Sequence, residues 1–366
     1  MKKLLGKIAG VLSEMWIIPL CFVSGRNIYT EKAVLRPVVR KFSRASRMNY
    51  YKYAQYPKDI SIIYDGQKGK WKNGGVAIVF QGPIEYREDF TLRTIELYRA
   101  IYPNIGIIVS TWKGTVRQNF RDAVHAWHVD IIESEGPSNP GYANVNMQLV
   151  SSLAGIKQAK GRGYSFVLKH RADIRFYNPD FLIYFQNACD AYPALDRICD
   201  SRLVYLSYNS YLKLPFYLRD FCVYGSTLEM ERFYGIRLDE RRRDYMGSQI
   251  SQFAEFMDIM YQVEVGRKST DEIAHTFWED YRRFMSPENY LVSTYYSQCI
   301  RELTSQSDLW QEYEEYLKKY AVIIDCEPLQ MYWTGHGEAF MNLPSCWDQG
   351  GKLNAARWYT LYGRNG

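Results

Sequence analysis

From residue 76 onward the apolar positions alternate between two rhythms. Residues 76–80 (VAIVF) are an unbroken apolar run, the pattern of a strand buried on both faces, and Gln81-Gly82-Pro83 ends it. Over 90–101 the positions Leu92, Ile95, Tyr98 and Ile101 recur at helical spacing, and Pro103 stops the helix. Residues 106–111 (GIIVST) predict a second buried strand and 129–133 (VDIIE) a third. A helix is predicted over 144–160, with Val145, Leu149, Leu153 and Ile156 on its stripe, followed by a fourth strand at 164–168 (YSFVL). Strands alternating with helices predict an α/β fold with a mostly parallel, doubly wound sheet. In such sheets ligands bind beyond the carboxyl ends of the strands.

Past about residue 178 the rhythm loosens. The pattern predicts a helix over 181–191, a strand at 203–208 and a strand at 221–224. A Gly225-Ser226-Thr227 turn and a helix to Tyr234 follow, then an amphipathic helix over 308–320 and a strand at 322–324. The last forty residues, aromatic and glycine-rich, show no readable period. Residues 1–70 read as an extension, joined through a polar, glycine-rich linker at 65–75 (DGQKGKWKNGG) to one domain over 71–366.

Charge sharpens this division. The chain of 366 residues carries a net +6, yet residues 1–47 alone hold ten Lys or Arg against Glu14 and Glu31. That tail is +8 and the rest about −2, so the body is not a basic nucleic-acid binder. The stretch 15–25 is too short to cross a bilayer, which takes ~20 apolar residues. Leu4, Leu5, Ile8, Val11 and Leu12 share a helical face beside Lys2, Lys3 and Lys7, which suits an interfacial helix on an anionic membrane or a helix packed on the body. Seven scattered Cys form no CxxC pair and read as reduced, cytosolic thiols. With 32 Tyr, 17 Phe and 9 Trp, flat faces for stacking on sugar rings are abundant, as are rings for an ordinary core. No P-loop, dinucleotide fingerprint, zincin or serine-hydrolase motif is present.

The chemistry concentrates at the fourth strand. In Val167-Leu168-Lys169-His170-Arg171-Ala172-Asp173, alternation along an extended chain puts Lys169, Arg171 and Asp173 on one side. Two cations suit the oxygens of a nucleotide diphosphate, and a carboxylate suits a divalent cation clamping it. The same triplet also reads as a salt-bridge cluster. Gln81, Gly82 and Pro83, after the first strand, mark a place for a base or ribose, or a plain turn. Thr111 and Trp112 end the second strand, where Trp112 can stack on a base or sugar or close the core. At the start of the long helix Asn144 is placed as N-cap, while Asn146 and Gln148 face the site or simply cap and solvate the helix. For a general base the sequence offers Asp220, before an apolar strand, and Glu288. Ser286-Pro287-Glu288 also reads as a helix start, with Ser286 as N-cap.

Taken in order, the blocks 76–84 (VAIVFQGPI), 103–114 (PNIGIIVSTWKG), 144–176 ending in VLKHRADIRF, 220–226 (DFCVYGS) and 286–291 (SPENYL) resemble the WavE family of lipopolysaccharide-synthesis proteins. The resemblance implies a GT-A-like glycosyltransferase building lipopolysaccharide core, O-antigen or capsule. A nucleotide-sugar half at 71–178 would pair with an acceptor half at 179–366 holding an oligosaccharide or lipid-linked glycan. Lys169, Arg171 and Asp173 would occupy the place of the metal and diphosphate signature, with Asp173 as ligand to manganese or magnesium. Such folds usually show Asp-x-Asp, and Arg171 stands where the first Asp would be. The implied setting is the cytoplasm, peripheral to the inner membrane. Two other readings of the same strand end stay open: a nucleotidyltransferase, and a non-catalytic polysaccharide-assembly protein on a transferase fold.

Overall fold

The computed structural model describes residues 75–245, 250–264, 267–269, 278–334 and 352–363. The chain divides into two units, 1–56 and 57–366, and every described residue belongs to the second. The basic tail, the linker at 65–74, Cys21 and Cys346 lie outside the described residues.

Among the described residues seven strands form one sheet: β1 (Val76–Gln81), β2 (Gly106–Trp112), β3 (Asp130–Ser134), β4 (Phe166–Arg171), β6 (Leu203–Leu206), β7 (Arg219–Ser226) and β8 (Ala321–Ile324), in the order β3-β2-β1-β4-β7-β6-β8. All run parallel except β7, which pairs antiparallel with β4 and β6. A small antiparallel pair, β5 (Ile174–Phe176) with β9 (Met331–Trp333), stands beyond the tip of β4. The α/β, mostly parallel architecture is the one the alternation predicts.

Helices cover both faces, and residue alternation says which. Phe80 and His170 are register partners and pack on Tyr98 of α1 (Phe90–Ile101). Val79 and Lys169, one step back, point the other way, toward α3 (Val145–Gly161) and Tyr234 of α5 (Thr227–Tyr234). Gly155 makes the α3 contact possible: a Cβ there would lie 2.3 Å from Val79 Cγ1 and 3.0 Å from Ser110 Cβ. Helix α2 (Gln118–His125) and α4 (Phe181–Ala191) complete this part; the second half adds α6 (Ile250–Glu264), α7 (Pro287–Cys299), α8 (Leu309–Lys319) and α9 (Ala355–Gly363).

Several boundaries move, for local reasons. Strand β4 extends through Arg171, because Val79, Phe80 and Gln81 of β1 keep the ladder going opposite Lys169, His170 and Arg171. The charged triplet therefore begins inside the sheet rather than after it. Gly225 and Ser226 are strand, not turn: a Cβ on Gly225 would sit 2.8 Å from Leu203 Cδ2, and Ser226 accepts the Glu229 amide as N-cap of α5. Strand β6 stops at Leu206. Asn144 holds the N-cap position of α3 but in a left-handed conformation (φ 68) with no side-chain cap bond, because the chain enters through a tight 3-10 turn at Tyr142–Asn144. Ser286 does cap α7, in a reciprocal box with Asn289. Within the last forty residues α9 buries Trp358 against Tyr192.

Candidate active site

At the carboxyl ends of β1 and β4 lies a cavity of about 180 Å³, walled by residues 81–85 and 171–173. Three of its features follow from backbone geometry. Gly82 turns at φ +103, a conformation side chains rarely adopt, and where a Cβ would sit nothing lies within 4 Å. Its N–H reaches Ser110 O (3.1 Å), and Ala172 N reaches Gln81 O (3.1 Å), so the loop is clamped to β2 and β4. Gln81 itself is buried and gives its amide N–H to Ser151 of α3 at 2.9 Å.

Arg171 and Asp173 form the ionic part of the wall. Arg171 Nε donates to Asp173 Oδ1 (2.9 Å) and Nη2 to Oδ2 (2.7 Å). Trp333 Nε1 donates to Oδ2 as well, at 2.9 Å. The guanidinium lies 5.1 Å from the Trp333 ring and 5.8 Å from Phe221, which meet each other edge-on at 4.4 Å. Burial pushes the Asp173 carboxyl up, but the Arg171 fork and charge, with the Trp333 N–H, hold it below the usual aspartate range. Burial likewise opposes the Arg171 charge, and Asp173 outweighs it.

His170, one residue before Arg171 in sequence, points to the opposite face. It is fully buried among Phe80, Tyr98 and Phe176, and burial pulls its pKa down to about 3. Its tautomer follows from its partners. The Phe176 amide donates to the Tyr98 hydroxyl, whose own proton goes to His170 Nε2. Nδ1 is therefore the N–H, and it donates to Arg171 O at 2.8 Å.

Lys169 does not reach the cavity. It is wholly buried, donates to the Asp220 carbonyl (2.7 Å) and stands 3.8 Å from the Asp220 carboxylate. Burial lowers its pKa, with the Asp220 charge opposing. A bulge in β7 makes this meeting possible. Tyr205 pairs with Val223, but the next residue, Leu206, pairs with Arg219, so residues 220–222 bow out of the ladder with β6, while Cys222 stays opposite His170 of β4. Asp220 is buried and its Oδ2 has no hydrogen-bond donor. Arg219 lies over Phe221 (5.0 Å) and is ion-paired with Glu288 at the start of α7. Neither Asp220 nor Glu288 walls the cavity.

The other predicted residues serve the frame. Thr111 and Trp112 end β2 away from the cavity wall, and the Trp112 carbonyl closes a turn with Thr115. Asn146 is buried, giving its amide to the Asn139 and Asp239 carbonyls and accepting the Asp239 N–H, so it ties the loop after β3 to the segment after α5. Gln148 is half-buried on α3, outside the wall. The structure thus brings together Gln81, Gly82, Pro83, Arg171 and Asp173. Sequence reasoning missed Glu85, Arg219, Phe221 and Trp333; the last sits in a three-residue strand with no period to reveal it.

The WavE lipopolysaccharide synthesis family matches residues 76–265, which hold the cavity wall, the β4 tip and the β7 bulge. The chain belongs to this family. Solved structures give remoter likenesses. A galactosyltransferase LgtC in complex with donor and acceptor sugar analogues is 11% identical, covering 79% of this chain and 95% of that one, with a TM-score of 0.32. An active-site mutant of LgtC has 10% identity, the same coverage and a TM-score of 0.33. A cytidylyltransferase from Leptospira borgpetersenii serovar Hardjo-bovis is 11% identical over 48% of this chain and 70% of that one, with a TM-score of 0.28. No curated protein matches.

Does this WavE site suit the divalent cation that its resemblance implies? Manganese or magnesium requires several oxygens, typically one or two carboxylates beside water and phosphate. Both Asp173 oxygens are taken by Arg171 and Trp333. Glu85, the other carboxylate on the wall, accepts the Arg87 amide at 2.8 Å and stands 3.8 Å from the Arg87 guanidinium. Among the described residues no three His, Cys, Asp or Glu side chains gather as a metal group. The donor set on the described WavE wall does not fit a divalent ion.

Proposed function

We propose that this WavE-family chain is a glycosyltransferase that moves a sugar from a nucleotide-sugar donor to a growing lipopolysaccharide, O-antigen or capsule glycan. The observation that carries this reading is the cavity where β1 and β4 end, with a glycine-turned backbone on one side and the Arg171–Asp173 pair on the other. The family's place in lipopolysaccharide synthesis supports it. Gln81, Gly82 and Pro83 face the nucleotide, and Arg171 faces the diphosphate. Residues 179–366 supply the acceptor side, where Phe221, Tyr208 and Tyr217 cluster around Arg219.

In the transfer, the bond between the anomeric carbon and the diphosphate oxygen breaks, and its electron pair leaves on the diphosphate. The acceptor hydroxyl oxygen bonds to that carbon through an oxocarbenium-like transition state. Its proton passes to a carboxylate. Asp220 is our first choice, because its Oδ2 lacks a hydrogen-bond donor and is left with an open lone pair for the proton. Glu288, engaged with Arg219, is the second. No described helix is long and apolar enough to span a membrane. We place the protein on the cytoplasmic surface of the inner membrane, held there by the basic residues of 1–47.

The test is a donor screen with the purified full chain. Sugar release from UDP-, GDP-, CMP- and ADP-sugars is measured against turnover of free nucleoside triphosphates. Hydrolysis or transfer from one sugar nucleotide supports the proposal. Consumption of a triphosphate with pyrophosphate release would make it a nucleotidyltransferase instead.

A further inference from the structure

We propose that Arg171, rather than a divalent metal ion, carries the positive charge opposite the leaving diphosphate, with Asp173 and Trp333 as its positioning residues. This rests on the transferase reading above. It starts from how a guanidinium divides its donors. The planar group offers two bidentate edges: one from Nε–H and Nη2–H, the other from Nη1–H and the second Nη2–H. Asp173 occupies the first edge, at 2.9 and 2.7 Å. The second edge has no partner among the described residues, and Arg171 walls the cavity with about a third of its side chain exposed (35%). The free edge has the geometry to take two phosphate oxygens.

The surroundings keep that edge in place. Trp333 holds Asp173 through its indole N–H and lies against the guanidinium with its ring, while Phe221 supports it from the bulged strand. His170 anchors the backbone at the same residue by bonding Arg171 O. A side chain held this way loses little freedom when a ligand arrives, and Arg stays charged at any physiological pH. The charge is therefore ready where the broken bond's electron pair settles. The same pairing removes Asp173 from a metal's reach, since its oxygens already face a guanidinium and an indole N–H. Arg171 in the place of the first acidic residue and the occupied Asp173 carboxylate are thus one substitution of means: an organic cation for an inorganic one.

The experiment uses the full chain and nucleoside diphosphates as probes. UDP, GDP, CDP and ADP are titrated by calorimetry in EDTA and again with manganese. We expect at least one to bind in EDTA, with manganese changing its Kd by less than threefold. Arg171→Lys keeps the charge and loses the fork, and should weaken that binding at least tenfold in both buffers. Asp173→Asn should weaken it several-fold without making it metal-dependent. In the Arg171→Lys, Asp173→Asn double variant the two losses should not add, because both act through one side chain. Tightening of wild-type binding by manganese of threefold or more would overturn this proposal and leave the transferase reading standing. Binding of no diphosphate in either buffer would overturn both. The wild-type comparison needs no variant, so a variant that misfolds does not decide the outcome.

Discussion

Lys169 and Asp220 face each other inside the protein, the ammonium 3.8 Å from the carboxylate and 2.7 Å from the same residue's carbonyl oxygen. Both are out of water, so removing one charge strands the other. Lys169→Met should destabilise the protein by about 3–5 kcal/mol in urea unfolding, and adding Asp220→Asn should recover part of it. Asp220→Asn alone also leaves the Lys169 charge stranded, so its effect on catalysis is read in the folded fraction that still binds diphosphate. If Asp220 is the base, turnover falls at least a hundredfold with diphosphate binding unchanged, whereas Glu288→Gln leaves turnover within tenfold. The reverse ranking would move the base to Glu288.

Acid should weaken the fold through His170. Its folded pKa is depressed to about 3 from an ordinary value near 6.5. The unfolded chain therefore binds a proton that the folded one refuses. The stabilisation is whole above pH 6.5 and drains away as pH falls toward 3. Between pH 7 and pH 5 the loss from this group is about 2 kcal/mol. His170→Gln should be less stable at pH 7 yet show a shallower decline over that range. An unchanged slope would show that His170 is not its source.

Gly82→Ala tests the loop. The backbone sits at φ +103 with open space around, so the cost is conformational rather than steric, on the order of 1–3 kcal/mol. Nucleoside diphosphate binding should fall along with stability. If the alanine variant binds normally, the close backbone approach has no role in recognition.

Trp333→Phe keeps an aromatic ring beside Arg171 and loses the N–H to Asp173. One hydrogen bond to a charged acceptor is at stake, worth about 1.5–3 kcal/mol. Sugar transfer should slow about tenfold, with the larger change in kcat. A change confined to KM would point to ordinary donor contact instead.

Deletion of residues 1–47 addresses the membrane. The truncated protein should leave vesicles containing anionic lipid in a flotation assay, while the full chain stays bound and salt releases it. Equal partitioning of the two would remove the tail from the account.

How much of this lay open in the sequence depended on whether a residue's neighbours were local. The runs at 76–80 and 106–111 announced buried parallel strands, because burial on both faces leaves no polar alternation. The tip of β4 announced its own chemistry through three alternating charges. What alternation could not say is depth. Lys169 and Arg171 share a face, yet the bowed segment of β7 covers one and leaves the other at the cavity. Asn146 looked like a ligand-facing polar group, and its partner, Asp239, lies 93 residues away. Trp333 gave no signal and Phe221 read only as a strand residue, because their part in the site comes from contact with Arg171 across the fold.

The bond from Trp333 to Asp173 joins positions 160 residues apart, and this bears on the protein's birth. The cavity's floor is synthesised first, and the indole that steadies its ionic pair follows only after the rest of the large sheet. A prematurely terminated product ending before residue 331 would carry every strand of the large sheet and none of β9. Such a fragment keeps the Arg171–Asp173 bonds but loses the indole that braces them, and with α9 it loses the buried Trp358, so the chain beyond residue 330 serves the ionic pair and the core together.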